Sequence, residues 1–216
     1  MSSQHGQVVV ISFLQSIGGI KNHMKKILII LVWLFSSSVL ADDISDFEIE
    51  GMSIGDSLLN HFSKNEIENA YNYDHLPSSM KFRIIDITSA SFNLYEMLQF
   101  FYKPNDKDYI VYSVGGLIFY DNNIDECYKK QLEVVEIISD LLLYDEEFMG
   151  PIKNINTDDK SEKSTYTSYY IDFKSGGTAS IQCYDWSNEV EWYDNFRVTI
   201  VAEEADDWIN SNYGLN

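Results

Sequence analysis

Histidine and cysteine are scarce in this chain, and acidic residues outnumber basic ones. Its 216 residues include four His, two Cys and 15 Lys or Arg, against 34 Asp or Glu. Only His61 and His75 follow residue 41, and two histidines with two oxidised cysteines cannot form a conventional four-ligand zinc site. The sequence also lacks the Gly-x-x-x-x-Gly-Lys phosphate loop and the dinucleotide-binding glycine fingerprint. We therefore expect no metal site and no cofactor.

Long apolar runs are missing as well. The apolar run over residues 27–35 is shorter than the roughly 20 residues that cross a bilayer. It follows Met24 and two lysines and precedes a small-residue cleavage site before Asp42, which is the pattern of a signal peptide. The sequence thus predicts a leader over 1–41, a periplasmic or secreted protein, and no stable membrane span after cleavage. An uncleaved N-terminal anchor is the alternative, and residues 1–23 are interpreted as an upstream mis-call of the start.

Little positive charge remains once the leader is set aside. Lys21, Lys25 and Lys26 lie in it with no acidic residue, which leaves 12 basic and 34 acidic residues and a net charge of −22. Such a balance repels nucleic acid and anionic lipid headgroups. It favours solubility, and it suits a cationic ligand or a basic protein as the partner.

The two cysteines, Cys127 and Cys183, both follow the leader. Export places them in an oxidising compartment, where a pair is interpreted first as a disulfide. Cys127 falls in the first turn of a predicted long helix, and Cys183 shares a strand face with Ala179 and Ile181. The bridge would therefore tie that helix to the second set of strands.

The segment after the leader divides into an acidic spacer over 42–52 and a single α+β domain over 53–216. Ser53-x-x-Asp56 and Ser63-x-x-Glu66 both fit the capping box that opens a helix. The sequence therefore predicts two short helices within 54–72, arranged as a hairpin and ended by the break at Pro77.

Strand and helix periods then alternate along the chain. Runs rich in β-branched and aromatic residues predict strands, and a three-to-four-residue apolar period predicts a helix. The predicted strands are 81–88, 93–103, 108–120, 164–173, 178–186 and 195–202, with a helix from about Ile124 to Tyr144, a surface loop over 150–164 and a short C-terminal helix opened by the acids at 203–207. Gly115-Gly116 is interpreted as a bulge or a second hairpin turn.

Consecutive strands indicate an antiparallel sheet, and hence α+β rather than doubly wound α/β. We expect a helical hairpin followed by strands in two βββα sets, with the helices packed on one face of the sheet. A single six-stranded sheet is the simpler form of the same prediction.

The letters Gly55-Asp56-Ser57-Leu58 match the signature block of the GDSL esterases and lipases, in which the serine is the nucleophile. That family places this serine after a buried parallel strand, and a base must deprotonate it. Here the preceding residues are acidic, and the family's Gly-x-Asn-Asp and C-terminal Asp-x-x-His blocks are absent. The match is judged fortuitous, and a serine hydrolase using Ser57 is kept as an alternative function.

Two further stretches are candidate binding sites. Asn154-x-Asn156-x-Asp158 resembles the start of a calcium loop, but Asp159 and Thr165 replace its glycine and glutamate, so weak calcium binding is a second alternative. The stretch from Cys183 to Phe196 alternates aromatic and acidic side chains, which suit cations, sugars or a basic protein surface. Its candidate binding residues are Tyr184, Asp185, Trp186, Glu189, Glu191, Trp192 and Tyr193; packing of these aromatics on the sheet is the competing interpretation.

The fragments GMSIGDSLL, FRIIDIT, NNIDECYKK, DFKSGGTASIQCYDW and DDWI resemble a group of uncharacterised exported proteins from AT-rich bacteria, which implies no activity. The Gly-Met-Ser opening before paired helices and three strands also resembles envelope modules of the β-lactamase-inhibitory-protein-like type over residues 51–120. We therefore expect a non-enzymatic, acidic binding protein of the bacterial envelope.

Overall fold

The computed structural model describes residues 44–73, 80–121, 123–141, 147–174 and 176–213. The predicted leader over 1–41, the Pro77 break and residues 142–144 of the predicted long helix lie outside these residues. Within the described ranges, no helix is both long enough and apolar enough to cross a membrane.

Over the described residues, eight antiparallel strands form one sheet. The strands are β1 Tyr71–Asn72, β2 Arg83–Ile87, β3 Met97–Tyr102, β4 Ser113–Tyr120, β5 Glu147–Ile155, β6 Thr165–Asp172, β7 Thr178–Asp185 and β8 Asp194–Val201. Their order across the sheet is β1-β2-β3-β4-β8-β7-β6-β5. Two four-stranded meanders thus meet at β4 and β8, which pair from Ser113↔Val201 to Tyr120↔Asp194.

The helices are α1 Lys64–Glu68, α2 Ile124–Leu141 and α3 Glu203–Tyr213, with 3-10 turns at Ile44–Asp46 and Leu58–Asn60. The α+β class, the antiparallel sheet, the long helix after residue 123 and the C-terminal helix are confirmed. The two sets contain four strands each, however, where the sequence predicted three.

Two strands were not predicted: β1, which lies at the end of the predicted helical hairpin over 54–72, and β5, which overlaps the first part of the predicted surface loop. Strand β5 lies at the edge of the sheet. Gly150 and Pro151 interrupt its pattern, and the pairing with β6 shifts register between Met149 and Ile152. Proline cannot donate to a ladder and is therefore tolerated on edge strands and at irregularities. The loop prediction over 150–164 is wrong for residues 150–155, because an irregular edge strand carries the same residues as a loop.

Helix α2 packs on one face of the sheet over β4, β7 and β8. Cys127 on this helix is bonded to Cys183 on β7, so the predicted disulfide is confirmed. The Gln131 amide donates to the carbonyls of Thr167 and Ile181 at 2.7 and 2.8 Å, which fastens the next turn of α2 to β6 and β7.

Helix α3 packs on the opposite face, so the prediction that all helices share one face is wrong. Side chains alternate along a strand; Phe100 is buried in the main core, whereas its neighbour Phe101 packs against Trp208 of α3. Phe82 completes this second cluster, with its ring centroid 5.5 Å from that of Trp208. Because β8 ends with Val201 on this face, the chain enters α3 there.

The N-terminal segment joins the main core. Ile44, Phe47, Ile49 and Met52 are all buried, so residues 44–52, expected as a spacer, belong to the folded domain. The Ser53 amide donates to Asp56 at 2.8 Å, but no helix starts there, and the predicted helical hairpin is reduced to a 3-10 turn and α1.

The second predicted capping box is confirmed at the start of α1. The Ser63 hydroxyl accepts from the Glu66 amide at 3.3 Å, and the Glu66 carboxylate accepts from the Ser63 amide at 2.7 Å. These hydrogen bonds lower the pKa of Glu66.

Gly115 and Gly116 lie within β4 in regular register, so neither a bulge nor a turn occurs there. A side chain at Gly116 would place its Cβ 2.5 Å from the ring of Tyr95. The glycine is needed because this buried ring lies directly on the backbone of the strand.

Candidate functional site

The predicted aromatic and acidic stretch connects β7 to β8 at one end of the sheet. Residues 186–193, here called the aromatic–acidic loop, follow Tyr184 and Asp185 at the end of β7. The backbone amide of Trp186 donates to the buried Asp194 carboxylate at 2.9 Å, which closes the base of the loop. Burial raises the pKa of Asp194.

Four aromatic rings form a continuous row from β6 into the loop. Tyr166 stacks on Tyr184 with centroids 5.4 Å apart, and Tyr184 stacks on Trp186 at 6.0 Å. Trp192 meets Trp186 edge-on at 4.4 Å. Stacked rings restrict one another, so the row fixes the position of Trp192.

The row ends in exposed aromatic surface. Trp192 is 56% exposed and Tyr193 is 58% exposed, whereas Tyr184 and Trp186 are half-buried. The packing interpretation therefore holds for Tyr184 and Trp186, whereas Trp192 and Tyr193 face outward and stay candidate binding residues. A large aromatic side chain held outward on a rigid base has the character of a binding hot spot.

The acidic residues of the loop differ in their surroundings. Glu189 forms an ion pair with Lys163, and Glu191 is exposed beside Trp192 in the chain. Asp185 is half-buried at the end of β7. The hydrogen bond and charge of Glu189 raise the pKa of Lys163.

A buried carboxylate, which the sequence did not identify as part of the site, anchors the loop from below. Asp159 accepts from the hydroxyl and amide of Ser161 at 2.7 and 2.8 Å, and from the hydroxyl and amide of Ser164 at 2.7 and 3.1 Å. It also accepts from the Ser187 hydroxyl at 2.9 Å, while the Ser187 amide donates to Ser164. These hydrogen bonds lower the pKa of Asp159. The spaced serines after Asp159 were the available signal, since Asp and Ser side chains commonly bond nearby backbone amides.

A second polar group, also missed, lies on the face of the sheet opposite α2. The Asp86 carboxylate accepts from the Tyr73 hydroxyl at 2.7 Å and from the Gln99 amide at 2.9 Å. Burial raises the pKa of Asp86. These residues come from β2, β3 and the end of β1, so pairwise sequence patterns do not bring them together.

Arg197 on β8 joins this polar group to the aromatic row. Its guanidinium lies over the ring of Tyr184 at 5.1 Å, and one terminal nitrogen is 3.5 Å from the Gln99 oxygen. The contact spans β4, because Gln99 pairs with Gly115 and Arg197 pairs with Leu117 on that strand. The row is thus supported from the sheet by a cation–π contact.

The alternative nucleophile Ser57 lies away from this surface. It is the N-cap of the 3-10 turn at Leu58–Asn60, and its oxygen accepts from the Leu59 amide at 3.3 Å. Its hydroxyl donates to the carbonyl of Asp108. The hydroxyl therefore has a structural role in joining this turn to the connection between β3 and β4.

The calcium-like residues are not arranged as a ligand set. Asn154 is in β5, the Asn156 oxygen accepts from the Asp158 amide at 3.0 Å, and Asp159 is bonded to serines. Over the part of the chain that the structure describes, no group of three or more His, Cys, Asp or Glu residues could hold a metal ion.

Comparison of the chain with protein-family models, curated proteins and solved structures finds no match. The surface is therefore interpreted from its own chemistry.

Proposed function

We propose that this protein is an exported, non-enzymatic binding protein that holds a basic protein partner on the aromatic–acidic loop. The proposal depends on one observation: Trp192 and Tyr193, which are adjacent in the chain, are both exposed on a loop whose base is fixed by hydrogen bonds. Export is supported by the signal-peptide pattern and by the disulfide, since disulfides persist in oxidising compartments.

The two kinds of side chain would act at different stages of binding. The net charge of −22 after residue 41, with three Lys and no acid before it, attracts a basic surface over long range. Trp192 and Tyr193 then supply apolar area at short range, where aromatic anchors contribute most of the binding energy of an interface. Glu191, exposed beside Trp192 in the chain, adds negative charge at the rim and selects against acidic partners, whereas Glu189 is paired with Lys163.

The anchoring of the loop bears on affinity. A flexible loop loses conformational freedom when it binds, and this lowers its affinity. Here the contact of Trp192 with Trp186 and the hydrogen bond from Ser187 to Asp159 hold the loop before a partner arrives. The proposal therefore predicts a preformed binding surface.

The test is capture from an envelope extract by the immobilised, oxidised protein at low and high salt. We expect a basic protein to be retained at low salt and released at high salt, because salt screens exposed charges. Replacing Trp192 and Tyr193 together by Ala should abolish retention with little change in Tm, since both side chains are mostly exposed.

The matched control is Leu132→Ala, which removes a side chain of similar exposure, 56%, on α2 across the sheet. It should retain the captured protein at the wild-type level. Equal retention by the double variant and the wild type would overturn the proposed surface, and a captured protein that high salt does not release would overturn the electrostatic part.

A further inference from the structure

A cleft of about 450 Å³ opens at the other end of the sheet, near the connection between β3 and β4. Arg83 and Ile85 of β2 and Tyr102 of β3 form its floor. Helix α1 forms one wall, and residues 104–109 form the other. The aromatic–acidic loop precedes Asp194, which pairs with Tyr120 at the last residue of β4, whereas the cleft lies by the connection that leads into the first residue of β4. The cleft is therefore a separate place on the molecule.

Positive charge gathers in this cleft although the chain is strongly acidic. Lys64, Arg83 and Lys107 line it, which is three of the 12 basic residues that follow the leader. Solvated lysines spread over an acidic surface would not be expected to converge in this way. The cleft therefore differs in charge from the rest of the molecule.

The two acidic residues in the cleft are already bonded within the protein. Both oxygens of the Asp106 carboxylate accept from backbone amides, those of Asp108 and Ile110, each at 3.0 Å. Glu68 accepts from the Tyr109 hydroxyl at 3.2 Å and pairs with Lys64 at 3.5 Å. Both carboxylates therefore help to hold the walls of the cleft, and Glu68 is also paired with Lys64.

The cations Arg83 and Lys107 are in the opposite situation. Among the described residues, the ion pairs within 4.0 Å involve Lys64, Lys81, Lys103 and Lys163, and neither of these two cations takes part in one. Arg83 is half-buried at the floor, where a guanidinium without an anionic partner is costly. An incoming anion would supply the partner.

Apart from Asn72 and Asn105, the remaining lining is apolar or aromatic. Ile67 and Ile85 are each 1% exposed, and the rings of Tyr102 and Tyr109 meet edge-on at 5.3 Å. Tyr109 has a φ of 49°, a left-handed conformation that bulky residues rarely adopt. Such strain is retained where surrounding structure enforces it, and it gathers at binding sites.

From this combination we propose that the cleft binds a small carboxylate with an apolar body. The carboxylate would meet the guanidinium of Arg83, whose planar fork matches a carboxylate in two parallel hydrogen bonds. Lys107 would approach it from the mouth, and the apolar body would lie against the half-buried ring of Tyr102, above the buried Ile67 and Ile85. This proposal does not rest on the proposed protein-binding function.

Benzoate is the probe for the test, because it combines one carboxylate with one apolar ring. We would titrate it into the oxidised protein labelled at isoleucine δ-methyl groups and follow the signals by NMR. The methyls of Ile67 and Ile85 should shift with a saturating curve, while that of Ile152 on the far edge strand should not move. Arg83→Gln should weaken binding about tenfold, as expected for loss of a charged hydrogen-bonding partner.

Two controls make the outcome decisive. Benzamide has the same shape without the charge and should bind at least about tenfold more weakly. The second control is the variant Lys129→Gln, at an exposed position on α2, which should bind benzoate like the wild type. Should Arg83→Gln fail to fold, Lys107→Gln, at an exposed position, should still weaken benzoate severalfold. Unmoved cleft methyls, equal affinity for benzamide, or unchanged affinity in whichever of the two cleft variants folds would overturn the proposal.

Discussion

The hydroxyl of Ser187 donates a 2.9 Å hydrogen bond to the carboxylate of Asp159, 28 residues earlier in the chain. This contact joins the connection between β5 and β6 to the loop between β7 and β8. The ion pair of Lys163 with Glu189 spans the same gap. Both connections lie at one end of the sheet, where the proposed binding surface is exposed. The rigidity of the aromatic–acidic loop therefore depends on the connection between β5 and β6 as well as on the strands β7 and β8 that flank it.

Replacing Asp159 by Asn should lower Tm by several degrees. Asparagine removes the charge and one acceptor oxygen at a buried position where the carboxylate accepts hydrogen bonds from three serines. The matched control is Asp158→Asn, one residue away and exposed, which should leave Tm unchanged. Thermal unfolding followed by circular dichroism measures both, and equal effects of the two variants would contradict the assigned role of Asp159.

The wild type and the Asp159→Asn variant should also respond differently to acid. The pKa of Asp159 is lowered in the folded state, so its ionised form contributes stability above the ordinary aspartate pKa of about 3.9. That contribution is lost as the pH falls below about 3.9 towards the folded-state pKa. The difference in Tm between the wild type and Asp159→Asn should therefore be constant from neutral pH to about 5 and shrink in stronger acid. A difference that is independent of pH would contradict this expectation.

Gly116→Ala should be strongly destabilising. The added Cβ would lie 2.5 Å from the ring of Tyr95, which is itself buried, so the ring or the strand must move. Overpacking of this kind costs about 1–3 kcal/mol. Gly115→Ala is the milder comparison, because the nearest atom to its Cβ would be the Thr199 hydroxyl oxygen at 3.1 Å, and the next atoms, of Thr199 and Val198, would lie at 3.7 Å. Urea unfolding compares the two, and a larger loss for Gly115→Ala would contradict the packing of Tyr95 on β4.

The sequence predicted the elements whose signal lies in local periodicity. The apolar stripe of α2 and the alternation of Phe196, Val198 and Ile200 in β8 reflect burial of one face, which is a pattern of single residues. The disulfide followed from having only two cysteines in the part that is predicted to be exported. These features need no knowledge of which elements are neighbours.

Other features depend on contacts between distant segments, and local patterns misled there. Ser53 and Asp56 fit a capping box, yet the Ser53 hydroxyl donates to the Phe47 carbonyl at 3.0 Å and no helix follows. The role of Gly116 depends on a ring 21 positions earlier, that of Tyr95. The composition of the aromatic stretch is visible in the sequence, but its anchor at Asp159 is not. Asp159 reaches Ser187 only because β6 pairs with β7, which brings the two connections together.

Removing the disulfide should lower the free energy of unfolding by about 4 kcal/mol, the chain-entropy value for a loop of this length. Cys127 and Cys183 are 56 residues apart, and both are fully buried. The double variant to Ala should therefore show a lower urea midpoint. In the unreduced wild type, thiol titration after unfolding should find no free thiol. Two free thiols, or an unchanged midpoint in the double variant, would contradict the structural role of the bridge.

Asp86 should make the protein less stable as it ionises, which is the opposite sign to Asp159. Burial raises its pKa above the unfolded value, so the folded state binds the proton more tightly and stability falls as the pH rises through the interval between the two pKa values. Asp86→Asn cannot ionise and should lack this slope, so its stability relative to the wild type should improve between about pH 4 and neutral pH.

Urea unfolding over this pH range measures how the free energy of unfolding changes with pH. The control is the variant Asp125→Asn, at an exposed position on α2. The variant is also expected to lose stability at every pH, because an amide cannot accept from both Tyr73 and Gln99 as the carboxylate does. The prediction concerns the change in that loss with pH. A loss that grows from pH 4 to neutral pH would mean that the hydrogen bonds of Tyr73 and Gln99, together with the positive charge of Arg197, outweigh burial at Asp86.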